Sequence, residues 1–148
     1  MREPLIAKRV LLGRELVGMY ETVQETMVAV DADEKVVGCG ALHVMWQDLA
    51  EVRSLVVDEQ ERGRGIGQAL VEALVSRAAG LGIRRVFCLT FEVDFFKKLG
   101  FEPISDTPVD AETYAELLRS SDEGIAEFLD LARVKQNTLG NTRMLRLL

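Results

Sequence analysis

The stretch that most restricts what this chain can fold into is residues 51–74, EVRSLVVDEQERGRGIGQALVEAL. It opens with a β-branched strand, Val52 to Val57, passes through a charged turn, and reaches the glycine-rich run Arg62-Gly63-Arg64-Gly65-Ile66-Gly67. Ile66, Leu70 and Leu74 then recur at helical spacing. A glycine-rich loop that feeds a helix N-terminus suits a phosphate anion. The first N–H groups of a helix lack partners, its dipole favours negative charge there, and missing Cβ atoms let a ligand approach the backbone.

Two nucleotide-binding patterns fail at this loop. A phosphate-cradling NTPase loop calls for Lys-Ser or Lys-Thr after the last glycine, where this chain has Gln68-Ala69. A dinucleotide G-x-G-x-x-G fits at Gly63 and Gly65 and breaks at Gln68. The plain alternative is that the glycines only turn a strand tightly into a helix. The formal charge of −6 argues against general nucleic-acid binding. A bound anion therefore needs a local positive site, which Arg62 and Arg64 can supply.

At 148 residues the chain is expected to form one domain, residues 1–148. No apolar run approaches the roughly 18 residues of a membrane span. The Met1-Arg2-Glu3-Pro4 start does not read as a signal peptide, so a cytoplasmic location and no membrane partner are expected. Cys39 and Cys88 are expected as buried free thiols. The lone His43 is a ligand or base or, more often at such a place, an ordinary strand histidine, and without a second histidine no metal site is expected.

In chain order, residues 2–12 suggest an amphipathic helix ending at Gly13, and residues 14–24 a helix carrying Leu16, Met19, Tyr20 and Val23. Thr26–Val30 and Val36–Trp46 read as a hairpin across Asp31–Lys35, with Gly38 and Gly40 marking a bulge or a close backbone approach. Trp46 either closes the core or lines a pocket. Strand Ala50–Val57 alternates to place Glu51, Arg53, Leu55 and Val57 on one face. The continuous apolar strand Val86–Thr90 suits a sheet covered on both sides. A helix is expected at Asp94–Leu99 and a brief strand at Phe101–Ile104. Asp110 and Ser121 are expected to cap two further helices, and Thr142–Leu148 to form a last strand.

Residues 27–104 in this order, with Arg62-x-x-Gly65-x-Gly67 directly after a strand ending Val-Val-Asp, resemble the GNAT N-acetyltransferases. Phe95-Phe96-Lys97-Lys98-Leu99-Gly100-Phe101 is similar to that family's F-Y-x-K-x-G-F signature. Gly38–His43, Asp48–Arg53, Val86–Glu92, Glu127–Leu131 and Asn137–Leu145 bring it nearest to the short actinobacterial type of N-acetylglutamate synthase. The resemblance implies an α/β fold with a mixed central sheet flanked by helices, its usual first strand missing or shortened. It implies acetyl transfer from acetyl-CoA to the α-amine of L-glutamate, the first step of arginine biosynthesis, with arginine as feedback inhibitor and a homodimer as assembly.

Residue by residue, the expected base is Glu51, with a backbone N–H near Val57 for the oxyanion. Leu55, Val56 and Val57 are expected to align the acetyl-pantetheine arm, and the Arg62, Gly63, Arg64, Gly65, Ile66, Gly67, Gln68 loop to hold the pyrophosphate. Arg53, Lys135 and Arg143 are the candidate clamps for substrate carboxylates, since planar bidentate recognition favours Arg. A base at Glu51 works best if desolvation raises its pKa, which pairing with Arg53 would oppose. The signature's tyrosine, a general acid in many relatives, is Phe96 here and cannot donate a proton. Rival expectations are an acetyltransferase for glutamine, a polyamine or a protein N-terminus, and a non-catalytic acetyl-CoA-binding regulatory module.

Overall fold

The computed structural model describes residues 16–134 and 140–148. A short helix α1 (Leu16–Glu21) leads into the antiparallel hairpin β1 (Thr26–Val30) and β2 (Val36–Trp46). There follow β3 (Leu49–Val57), α2 (Ile66–Gly80), β4 (Arg85–Thr90), α3 (Val93–Lys98) and the two-residue β5 (Glu102–Pro103). Then come α4 (Ala111–Leu117), α5 (Glu123–Phe128) and β6 (Thr142–Leu147). Among the described residues, these six strands form one mixed sheet in the order β1-β2-β3-β4-β6-β5, in which β3 and β4 pair parallel and the other neighbours antiparallel.

The sheet is covered on both faces, as the apolar run of β4 predicts. Val86 and Cys88 point into one core with Val52, Leu74, Phe96 and Phe101, beneath α2 and α3. Phe87 points into the other with Leu49, Ile125 and Phe128, beneath α4 and α5; its ring meets Phe128 edge-on at 5.3 Å. Trp46 packs against this second core, so it closes the fold rather than lining the cavity described below.

Two irregularities in the sheet create the site. The first is a bulge in β3. Register with β2 slips between Cys39 and Ala41, leaving Gly40 opposite both Ser54 and Leu55, and Ser54 takes a left-handed φ of 58°. The extra residue reverses the phase of the strand. Glu51 and Arg53 face α5 as expected, but Leu55 crosses to the α2 side, against Gly40, and Val57 lies against Gly67. The single-face alternation over 51–57 is therefore corrected: it holds only to Arg53. A Cβ on Gly38 or Gly40 would come within 3.0 Å of Leu70 or Leu74 of α2, so the hairpin glycines serve both the bulge and close helix packing.

The second irregularity is a fork. β3 and β4 pair over three residues, Leu49 with Arg85, Ala50 with Val86, and Glu51 with Phe87, and then diverge. Glu51 is the last paired residue and stands at the apex of the gap.

Other expectations change in detail. α1 is present, yet Leu16, Tyr20 and Val23 are exposed. Cys88 is buried but Cys39 only half-buried, and neither forms a disulfide among the described residues. The cap of α5 is Asp122, not Ser121: its carboxylate accepts from the Ile125 N–H at 2.9 Å, while Asp110 caps α4 through Thr113 as expected. The helix expected at residues 2–12, the shortened or missing first strand, and Lys135 lie outside the described residues.

Candidate active site

The gap between β3 and β4 opens into a cavity of about 1320 Å³ that runs from the glycine loop past Glu51 to the start of α5. At the loop end, Gly63 and Gly65 have φ of 78° and 81°, in the left-handed region that a side chain would strain, and a Cβ on either would meet nothing within 4 Å. The first hydrogen bond of α2 runs from Ala69 to the Gly65 carbonyl at 3.0 Å, so the N–H groups of Ile66, Gly67 and Gln68 precede the helical ladder. Gly67 has a packing role as well, since Phe95 lies 3.4 Å from where its Cβ would stand. Arg62 lines the cavity, whereas Arg64 turns to Glu61 on the surface. This end can hold a phosphorylated ligand.

Along β3 the backbone is turned the same way. Asp58 donates to the Val37 carbonyl at 2.8 Å across the β2 side. By strand alternation the Val57 and Leu55 N–H groups point away from β2, into the gap. An extended chain lying there meets free strand edge.

The other end is charged and buried. Glu51 is 5% exposed, and its Oε2 accepts from Arg53 Nε at 2.8 Å. Arg53 is a hub: Nη1 and Nη2 also fork onto Asp122 Oδ2 and Oδ1 at 2.9 and 2.8 Å. Burial is the largest influence on Glu51 and pushes its pKa up; the Arg53 charge pulls it back without cancelling the rise. The conflict foreseen between a raised carboxyl and a paired arginine is thus decided for burial. On Asp122 burial also opposes ionisation, but the Arg53 hydrogen bonds and the helix-cap N–H outweigh it and hold that carboxyl down to about 2. The Arg53 guanidinium, bracketed by two carboxylates, stays charged despite its burial.

Two of the expected clamps already have partners within the fold. Arg53 faces the acceptor end, but its donors hold Glu51 and Asp122 rather than standing open. Arg143 lies outside the cavity lining and spends its guanidinium on backbone carbonyls: Glu127 at 3.0 Å, Asp106 at 3.1 Å, and Phe128. It ties β6 to the C-terminal end of α5, where unpaired carbonyls attract a cation. Phe96 lines the cavity but is a core residue, 5% exposed, packed edge-on to Phe95 and Phe101.

Asp122 and Gly124 are not among the sequence candidates, and His43 reads from the sequence as an ordinary strand histidine. His43 pairs across the sheet with Glu51; its Nδ1 is 2.7 Å from Glu25 Oε1 and its Nε2 is 3.7 Å from Asp122 Oδ2. Asp122 reaches Arg53 from 69 residues away, which no local pattern reveals. Gly124, in the first turn of α5, is pressed onto the Glu51–Arg53 pair: a Cβ there would collide with Glu51 Oε2 and lie 2.6 Å from Arg53 Nη2. A glycine in a first helical turn, next to a helix cap, was the available signal.

Comparison with known proteins bears on the fold and the family. The model described as the acetyltransferase (GNAT) family matches residues 8–101. An amino-acid acetyltransferase of Mycobacterium tuberculosis is 54% identical over 144 residues, which span 96% of this chain and 83% of that protein. A crystal structure of a Mycobacterium tuberculosis protein in complex with CoA superposes with a TM-score of 0.93 at 51% identity, covering 99% of this chain and 91% of that one. The N-acetylglutamate synthase of Neisseria gonorrhoeae, complexed with coenzyme A and N-acetyl-glutamate, shares the fold at TM-score 0.75 and 22% identity, over 98% of this chain but 30% of that longer one.

Proposed function

Since the chain belongs to the GNAT acetyltransferase family, we propose that it is an acetyl-CoA-dependent amino-acid N-acetyltransferase whose acceptor is the α-amine of L-glutamate, the reaction of an N-acetylglutamate synthase. The observation that carries this reading is the buried carboxyl of Glu51 at the apex of the β3–β4 fork, facing the same cavity as the glycine loop. The family sets the acetyl donor, and the similarity to an amino-acid acetyltransferase over nearly the whole chain sets the class of acceptor.

Acetyl-CoA is the co-substrate. Its pyrophosphate takes the N–H groups of Gly63 to Gln68 beside Arg62, and its pantetheine arm lies along Leu55 to Val57 as an added strand. Among the described residues no group of three or more His, Cys, Asp or Glu side chains could hold a metal, and the scheme routes no step through one. The acceptor arrives as an ammonium. Glu51 takes one of its protons, forming an O–H bond and leaving the nitrogen its lone pair. That pair attacks the thioester carbonyl, and the oxyanion rests on the Val57 N–H. Collapse expels the CoA thiolate, which takes the second proton from the former ammonium nitrogen. No tyrosine is required, in keeping with Phe96.

Glutamine as acceptor is a second reading, favoured by one observation. Among the described residues, the guanidinium groups lining the cavity are those of Arg62, at the loop, and Arg53, already held by Glu51 and Asp122. A neutral amide side chain asks less of such a pocket than a second carboxylate. The test is initial-rate release of free CoA with glutamate, glutamine and a polyamine as acceptors. Preference for an amino acid supports the proposal, and preference for the polyamine sinks it. Arginine as feedback inhibitor, a homodimeric assembly and a cytoplasmic location belong to the same proposal. The rate with added arginine, light scattering and cell fractionation test them in turn. No described helix is long and apolar enough to cross a membrane.

A further inference from the structure

Behind the base lies a second carboxyl that the scheme above leaves unused. Glu127 of α5 is 1% exposed, and its Oε1 has no hydrogen-bond partner among the described residues. A buried carboxyl oxygen left unpaired disfavours the charged form, so the site asks for a neutral acid. Glu127 stands one helical turn after Gly124, the residue pressed onto the Glu51–Arg53 pair, and so shares the α5 face turned toward the base.

The charged surroundings run the same way. Burial first, and then the charges of Glu51 on β3 and of Glu123 and Asp130 beside α5, push the Glu127 carboxyl up to about 7; Arg143 of β6 opposes them. Arg143, however, gives its hydrogen bonds to backbone carbonyls rather than to this carboxyl. Of the other ionisable groups near the base, Arg53 and Asp122 are locked onto each other, and His43 of β2 lies between Glu25 and Asp122. Burial and the Glu51 charge push the Cys88 thiol of β4 up, so it stays neutral.

We propose that Glu127 is a positioning residue for the base: it forms with Glu51 a buried carboxyl pair that carries one proton, and its ionisation sets how strongly Glu51 draws a proton from the incoming amine. While Glu127 keeps its proton, the pair bears a single negative charge, on Glu51. When Glu127 releases that proton to solvent, a second negative charge beside Glu51 raises its proton affinity, and the N–H to O–H transfer gains driving force. The inference rests on Glu51 being the base.

The test uses the full chain, Glu127→Gln, which keeps the shape and cannot ionise, and Glu51→Gln. Infrared spectra of wild type should show a protonated-carboxyl stretch that fades around pH 7; Glu127→Gln should lack it, and in Glu51→Gln it should fade at lower pH. The ratio of wild-type to Glu127→Gln kcat should rise at least about threefold between roughly pH 6 and 8, with acetyl-CoA affinity unchanged. A band that persists in Glu127→Gln, or a ratio flat with pH, overturns the inference. If Glu127→Gln does not fold, wild-type spectra without a neutral-range carboxyl band overturn it alone. Turnover retained by Glu51→Gln would remove the base reading itself. An inactive Glu51→Gln together with a flat ratio removes only the role of Glu127.

Discussion

Adding one methyl group to Gly124 should disable the base while sparing the cofactor loop. In Gly124→Ala the new Cβ would overlap Glu51 Oε2 and lie 2.6 Å from Arg53 Nη2 and 2.9 Å from Glu51 Cδ. The guanidinium alone has to retreat about 0.8 Å to reach the 3.4 Å at which ordinary contact begins, and the carboxylate oxygen further. Neither can do so freely, because Arg53 is also forked onto Asp122 and Glu51 is buried between two strands. Overpacking of this kind costs about 1–3 kcal/mol. Losing the hydrogen bond between the two charged groups costs a further 1.5–3 kcal/mol or so. A net loss of about 3 kcal/mol would lower Tm by about 6–12 °C in a domain of this size. Displacing the base by about an ångström should reduce kcat/KM roughly 100-fold. Acetyl-CoA affinity, measured by titration calorimetry below the new Tm, should stay within about threefold, because the loop is held by α2 and not by α5. A variant with wild-type Tm and wild-type turnover would refute the packing argument. One that lost CoA binding and turnover together would refute the separation of the two ends.

Other perturbations address the remaining parts. Glu51→Gln should bind acetyl-CoA almost normally and lose about 10²–10⁴-fold in kcat, the contribution of a positioned general base; calorimetry beside a CoA-release assay separates the two effects. Gly65→Ala would force a side chain onto a φ of 81° with no steric contact to blame, so stability should fall by about 1–2 kcal/mol through backbone strain alone. Its Kd for CoA should rise about tenfold while the turnover of saturated enzyme changes little. Asp122→Asn keeps a helix cap but removes the charge beside Arg53, and should lower Tm by a few degrees at neutral pH. The native Asp122 carboxyl titrates near 2, below its ordinary 3.8. Its contribution is therefore complete above about pH 4 and lost as pH falls toward 2, so the wild-type and Asn unfolding curves should converge over that range.

The glycine-loop end of the cavity was legible because its signals are local. Strand, turn, left-handed glycines and helix follow one another within 24 residues, and each has a fixed backbone consequence. The apolar run of β4 likewise reported a strand covered on both faces. The acceptor half was legible only in part. Glu51 and Arg53 announced themselves as charges two apart in a strand, but their partners come from the hairpin and from α5. Asp122, His43 and Gly124 meet them through tertiary packing that has no sequence period. The bulge at Ser54 escaped for a related reason: Ser54 is an ordinary strand-compatible residue, and its left-handed φ accompanies a register slip against β2 that no local pattern announces. Alternation could not foresee that Leu55 changes face. The partners of Arg143 were not legible, because an arginine in a tail strand gives no hint of which backbone carbonyls lie across from it.

In the proposed reaction one cavity joins an acetyl-CoA loop to a buried carboxyl base for an amino-acid amine. Release of free CoA from acetyl-CoA, followed with and without glutamate or glutamine in wild type and Glu51→Gln, tests it most directly. Release should depend on the amino acid, yield the N-acetylated product in equal amount, and disappear in Glu51→Gln while acetyl-CoA still binds. Binding of acetyl-CoA with no amino-acid-dependent release, or undiminished release by Glu51→Gln, would contradict it.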